Sequence, residues 1–292
     1  MATSTRRPLP TALVERLEEA SPLDGPAEAV ATQVRGTIPK GPVKDALSGT
    51  WLGHALHPLL TDAVIGSWLS AGILDLVGGR DSGTAARRLT AVGIVASLPT
   101  AASGLNDWAD TTPADDGVRR VGAVHGALNV AALGLYTASY AARRAGNRGR
   151  GAALGLTGLA LLGVSGHLGG HLSYAQGVGV DETTFDRRPS DWTDAGPADA
   201  VANPGSVTCV TVDGVGVALV NDGGQLHGLE DRCNHRGGAL HEGELRDGCL
   251  VCPLHGSAFR IDDGSVERGP AAYPQPAFEV RVQGDRVQVR AR

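Results

Sequence analysis

The stretch 233–259, CNHRGGALHEGELRDGCLVCPLHGSAF, decides how this chain is read. Cys233 and His235 stand two residues apart, Cys252 and His255 three, and glycines at 237, 238 and 256 flank them. The same device occurs twice: a cysteine followed closely by a histidine at the tip of a turn. Glycine relieves steric demand where backbone wraps closely around a bound group. Pro253 stiffens the second turn. Two thiols and two imidazoles on two loops are a donor set for metal.

Two chemistries compete for that set. A [2Fe–2S] cluster of mixed ligation takes two thiolates on one iron and two imidazoles on the other. Two loops that each offer one of each meet that stoichiometry. Zinc is the rival, since Cys249 and Cys252 form C-x-x-C and a tetrahedral site could add Cys233, His235 or His255. Against zinc, Cys249 falls on an expected strand over 248–251, so its thiol and that of Cys252 point apart. The chain has four cysteines, and so few, clustered beside histidine, read as metal ligands rather than as a disulfide framework. The fourth, Cys209, alternates on an apolar strand and reads as a core thiol.

The flanks of the loops are β-structure. SVTCVTVDGVGVALV (206–220) is two strands around Asp213-Gly214, a hairpin signal. FEVRVQGDRVQVR (278–290) is a second hairpin. Residues 199–292 therefore form a small all-β domain. Ahead of it lies a different composition, with apolar segments at about 58–78, 89–106, 121–142 and 152–176, each near the roughly 20 residues that cross a bilayer core. The charges sit in the linkers between them. A soluble bundle would alternate apolar stripes with charged faces, yet residues 151–177 hold no Asp, Glu, Lys or Arg. Glycines at 155, 158, 163, 166, 169 and 170 would weaken a soluble helix, whereas in lipid they let helices approach, and Gly166-x-x-x-Gly170 has the small-xxx-small spacing.

The expected fold is thus multidomain. It has a mobile tail over 1–50 with one short helix at 11–20, an all-α four-helix transmembrane bundle over 51–180, a linker over 181–198 and the all-β domain over 199–292. Arg6-Arg7 reads as part of a solvated tail, because the charges of TALVERLEEA exclude the apolar core of an export signal. A net charge of −5 argues against a nucleic-acid partner.

The stretch quoted first resembles the Rieske [2Fe–2S] signature, C-x-H followed by C-P-x-H-G-x-x-F. Carried over residue by residue, the resemblance implies that Cys233 and Cys252 bind one iron, and His235 and His255 the other. High-potential members add a cysteine to each loop and join the two. Gly238 and Leu254 hold those places here, so that bridge cannot form. Phe259 stands where those members have a tyrosine that donates to a ligand sulfur, and losing such a donor lowers the potential. Ser257 remains as a candidate donor. The sequence therefore resembles the ferredoxin and dioxygenase type. The first half resembles a family of uncharacterised four-helix membrane domains, on HPLLTD at 57–62, GLNDWADT at 104–111, RRVGAVHGALN at 119–129 and GHLGGHLSYAQGVGVD at 166–181. Val64 replaces the usual proline.

Four antiparallel helices bring His57, Trp108, His125, His167 and His171 to one membrane surface, with His54 and Asp107. Histidine in a membrane helix is costly and marks function by default. Three readings follow: axial ligands to haem b, proton acceptors for a quinol, or hydrogen bonds across helices. The expected function is a membrane-anchored carrier of one electron at a time, exchanging with quinone, haem or a redox partner protein. The alternative is a tethered ferredoxin serving a separate oxygenase or reductase, its helices an anchor in membrane lipid. No mononuclear-iron oxygenase domain follows the cluster domain, so an electron-transfer component is expected rather than a self-sufficient enzyme. The location is a multi-pass place in the cell membrane. The missing loop disulfide and export signal favour a cytoplasmic cluster domain, while near-equal Lys and Arg counts on the two surfaces give no direction.

Overall fold

Apolar runs that end at charged, Gly- and Pro-containing linkers become helices, and the alternating Val-rich runs become strands. The structure, a computed structural model, describes residues 9–113 and 115–292, the side chain of Arg80 excepted. The Arg6-Arg7 pair lies outside the described residues. Helices run in the order α1 Leu9–Glu18, α2 Asp24–Thr37, α3 Pro42–Ser48, α4 Leu56–Val77, α5 Gly83–Thr111, α6 Asp116–Arg144 and α7 Arg148–Tyr174. The strands are β1 Thr193–Pro197, β2 Val207–Val212, β3 Val215–Asp222, β4 Gln225–Glu230, β5 Glu244–Arg246, β6 Cys249–Val251, β7 Ala258–Arg260, β8 Val266–Arg268, β9 Ala277–Gln283 and β10 Arg286–Ala291. The chain divides into two compact units, Met1–Ile38 with Leu56–Val178, and Pro39–Ala55 with Gly179–Arg292.

In the first unit α4 to α7 are, among the described residues, the four helices long and apolar enough to cross a membrane. Their large apolar side chains point outward, as at Leu59, Ile73, Val95, Leu98, Val130 and Val164. Inside are small or polar ones, among them Ala71, Thr90, Ser103, Ala132, Ser139 and Ser165. This inverted pattern suits lipid, where close backbone approach and interhelical hydrogen bonds replace an oily core. Two bulky exceptions, Trp68 and Tyr136, are seated on glycine. Trp68 and Tyr136 stack at 3.9 Å, and a Cβ at Gly93 would stand 2.2 Å from Trp68 while one at Gly158 would stand 2.9 Å from Tyr136. Gly166 meets nothing within 4 Å, so the Gly166-x-x-x-Gly170 spacing is not the packed seam. Asp115 caps α6 through the Val118 N–H at 3.0 Å, and Asn147 caps α7 through the Arg150 N–H at 3.1 Å. Arg143 of α6 pairs with Asp75 of α4 inside the bundle, their side chains 3% and 1% exposed.

The stretch expected to be a tail with one short helix is helical over most of its described length. Asp24 takes Arg119 at 3.0 Å and Arg120 at 2.7 Å, which ties the start of α2 to α6. The two guanidiniums, Arg120 first, hold the Asp24 carboxyl down at about 2.

In the second unit the strands form a six-stranded sheet, β1-β10-β9-β4-β3-β2, and a four-stranded sheet, β5-β6-β7-β8. Asp213 and Gly214 take positive φ at the β2–β3 turn, as the hairpin signal requires. Strand β3 is buried on both faces, which is why it reads as an unbroken apolar run. Val217 and Leu219 enter one core with Phe278, Val287 and Val289. Ala218 and Val220 enter the other with Leu229, Leu240, Leu250 and Phe259, and with Cys233 and Cys252. Two stretches outside the expected domain belong to this unit. β1, in the expected linker, pairs with β10. Residues 39–55 also bond to the segment after β8, with Thr50 donating to Ala271 O at 3.1 Å and Gly269 N–H donating to Asp45 at 3.0 Å.

Candidate metal centre

The two loops are built alike. Cys233 N–H donates to Gly238 O at 2.8 Å and Gly237 N–H returns to Cys233 O at 2.8 Å. Cys252 N–H donates to Ser257 O at 2.8 Å and Gly256 N–H returns to Cys252 O at 3.0 Å. The offsets are identical, five residues outward and four back. Closing such a turn puts the fourth residue after each cysteine in the left-handed region, where Gly237 has φ +70 and Gly256 φ +80. The first loop is pinned from below by Gln275, 1% exposed, whose amide donates to Glu230 O and Arg232 O at 2.7 Å and accepts Asn234 N–H at 3.0 Å. In the second loop Ser257 Oγ accepts Ala271 N–H at 2.9 Å.

Between the loops the four donors sort by chemistry. Cys233 and Cys252 share a hydrogen bond. The rings of His235 and His255 meet edge to face, centroids 5.1 Å apart. His235 Nδ1 is enclosed and, among the described residues, has no hydrogen-bond partner. Burial pushes the His235 ring down to about 3, helped by the nearness of His255, Arg236 and Lys44, so it stands neutral, the form that binds metal. The Cys233 thiol holds Cys252 down at about 6, aided by the N–H groups of Leu254 and His255 and by the charge of Lys40. Cys233, donating to that thiolate, is raised. Sulfur beside sulfur and nitrogen beside nitrogen fit the two-thiolate, two-imidazole pattern of a mixed-ligand [2Fe–2S] cluster. An enclosed ring nitrogen with no hydrogen-bond partner among the described residues fits the role of a metal ligand. Cys249 lies on β6, buried and opposite Arg246 and Arg260.

Gly238 and Leu254 face one another across the loops. A Cβ at Gly238 would stand 3.0 Å from Leu254 and 2.9 Å from Cys252 Sγ. Phe259, fully buried, carries no hydroxyl to offer. Lys40 lies against the second loop, where a Cβ on Gly256 would meet its Nζ at 2.8 Å. Neither Lys40 nor the buried Lys44 belongs to any motif, and only the fold brings them to the loops. Cys209 corrects its expectation: it is an exposed thiol, not a core one, 3.5 Å from Asp231 Oδ2. Desolvation of the sulfur, and then that carboxylate, raise it to about 11.

Three of the candidate membrane histidines bond to separate partners. His125 Nδ1 bonds Ser165 O at 2.8 Å while its Nε2 meets Asn129 Nδ2 at 3.1 Å, so both ring nitrogens are engaged. His57 Nδ1 bonds Thr100 O at 2.9 Å. His171 bonds Glu18 at 2.7 Å, Trp108 donates to Arg119 O at 3.3 Å, and His167 is exposed. Of these rings His125 alone has both nitrogens engaged among the described residues, and nothing in the arrangement supports haem b.

Residues 191–279 match the family of Rieske [2Fe-2S] domains, and residues 53–182 match the family described as predicted membrane protein (DUF2231). The chain joins a DUF2231 membrane domain to a Rieske [2Fe-2S] domain. Over 75 residues it is 39% identical to human apoptosis-inducing factor 3, covering 26% of this chain and 12% of that one. Over 69 residues it is 38% identical to the 3-phenylpropionate/cinnamic acid dioxygenase ferredoxin subunit of Escherichia coli (strain K12), covering 23% of this chain and 65% of that one. Among solved structures it is similar to the ferredoxin of carbazole 1,9a-dioxygenase from Nocardioides aromaticivorans IC177, at 28% identity and a TM-score of 0.33, over 35% of this chain and 100% of that one.

Proposed function

We propose that this chain is a membrane-anchored one-electron carrier of the Rieske ferredoxin kind, delivering to a separate redox protein such as an oxygenase or reductase component. The twin loops, with thiol against thiol and imidazole against imidazole, carry the reading. Cys233 and Cys252 would hold one iron, and His235 and His255 the other. The bound cluster supplies a couple that gains or loses a single electron. The chain's own residues set its electrostatics. Backbone N–H groups of residues 235 and 236 point at Cys233, those of 254 and 255 at Cys252, and Lys40 adds positive charge beside them. Each of these favours added electron density on the sulfurs. Phe259, with no hydroxyl, works the other way.

Identity to a dioxygenase ferredoxin subunit supports a protein acceptor. The finer alternative is exchange with a quinone near His57, and the bonds already made by His125 and His171 weigh against it. The cytoplasmic side remains our reading for the cluster domain, on the missing loop disulfide. A potentiometric titration of the full chain in lipid vesicles tests the carrier role. We expect one reversible one-electron transition, unchanged by a combined His57→Ala and His125→Ala substitution. A metal centre that holds iron but shows no reversible transition would overturn the proposal. A transition abolished by that substitution would shift it to the membrane pocket.

A further inference from the structure

We infer that Cys209, Asp231 and His241 form a second metal site, built for one zinc-class divalent ion. The set shares none of the four cluster donors, and no established role accounts for it. The three ligand atoms, one thiol, one carboxylate oxygen and one imidazole nitrogen, all lie within 4.8 Å of one another. Asp231 Oδ2 is the middle member, 3.5 Å from Cys209 Sγ and 2.8 Å from His241 Nδ1. A tetrahedral zinc with its ordinary bond lengths separates sulfur from oxygen by about 3.5 Å and nitrogen from oxygen by about 3.3 Å. The first distance is already met. The second asks the imidazole to draw back by about half an ångström, exchanging a hydrogen bond for a metal bond.

Rigid backbone holds the three in place. Cys209 sits in mid-strand, paired with Ala218. Asp231 N–H donates to Gly216 O, and Asp231 O accepts Leu240 N–H, both at 2.8 Å. The other carboxylate oxygen, Oδ1, accepts the His241 N–H at 2.8 Å, which leaves Oδ2 to face thiol and ring. Gly216 keeps the flank open, since a Cβ there would stand 3.3 Å from Asp231 Cβ and 3.9 Å from Cys209 Sγ. Asp231 is buried, His241 half-buried and Cys209 exposed, so the site opens outward on the thiol side. Three protein donors with one open position are the coordination of an accessible zinc, its fourth place left to water or an outside ligand. A soft thiolate beside imidazole and carboxylate selects zinc over magnesium or calcium. Binding displaces the Cys209 proton, so affinity rises with pH.

The test uses full-length protein with its cluster in place, stripped of loose metal and titrated with zinc chloride. One zinc per chain is expected beyond the iron, with iron unchanged. Cys209→Ser and His241→Ala should each weaken zinc binding by about tenfold or more while keeping the iron. Two variants are used so that a folding defect in one does not decide the matter. In the unaltered protein zinc should slow alkylation of Cys209 by iodoacetamide, read from the peptide mass, to the same degree that it binds. Equal zinc binding in both variants would overturn the inference, as would Cys209 alkylation indifferent to zinc. Zinc gained only as iron is lost would place it in the cluster loops and overturn it as well.

Discussion

The imidazoles of His235 and His255 meet edge to face with 88° between their planes, although one ring follows its cysteine by two residues and the other by three. A Cβ on Gly238 of the first loop would stand 2.9 Å from Cys252 Sγ and 3.0 Å from Leu254 of the second, so the two turns pack closely at this point. His255→Ala should therefore lower iron retention roughly tenfold or more, because an open coordination position is left on a two-iron centre. Iron per chain measures this, and circular dichroism should show the helices intact. Gly238→Ala should act in the same direction, since its Cβ has no room beside Cys252.

Lys40 is exposed and lies against the loop that carries Cys252. Its charge favours the electron-rich form of the centre. Lys40→Gln should make the midpoint potential more negative by tens of millivolts, roughly 1 kcal/mol for one charge near a surface. Salt should shrink the difference, because an exposed charge is screened within about 10 Å at 0.1 M. Potentiometric titrations of both proteins at low and high ionic strength check the sign and the salt effect together.

Glu230 is fully buried, pairs with Arg188 at 2.5 Å, and has its other oxygen without a partner among the described residues. Burial first, and then Asp186, raise its carboxyl from the ordinary 4.5 to about 7 against the pull of Arg188. The folded state thus prefers the protonated acid. Its stabilising contribution is complete below the unfolded value and is lost as pH rises through the folded one. The cluster unit should lose up to about 3 kcal/mol between pH of about 4.5 and 7. Glu230→Gln, which stays neutral, should flatten that slope. Thermal melts of the full chain across this range, followed through the cluster absorbance, give the comparison.

In the helical unit the Arg143–Asp75 pair is buried, with Arg143 also donating to Ser139 Oγ at 3.1 Å. Removing one partner leaves a buried charge uncompensated. Asp75→Ala should cost about 3–5 kcal/mol, seen as a lower melting temperature in detergent. Asp75→Ala with Arg143→Met should recover much of it.

What could be read from sequence was whatever local chemistry repeats within a few residues. The twin Cys–His turns, the Asp213-Gly214 hairpin and the four apolar helices are all of that kind. What could not be read depends on distant segments meeting. Lys40 reaches the second loop, and Asp45 and Thr50 reach residues 269–271, only because residues 39–55 fold back on a domain that begins far along the chain. The period-two pattern of β2 placed Cys209 inward, but the sheet leaves that face open, so the thiol is exposed beside Asp231. The membrane histidines looked like one cluster because helix direction brings them to one end. Their rings are instead shared out among separate carbonyls and carboxylates.

Pulsed EPR of the reduced full-length protein, with iron and acid-labile sulfide assayed on the same sample, addresses the metal centre most directly. Mixed ligation predicts two histidine nitrogens coupled to a centre of two irons and two sulfides per chain, lost together in Cys233→Ser and His235→Ala. An iron centre with no strong nitrogen coupling, or zinc bound with no labile sulfide, would contradict it.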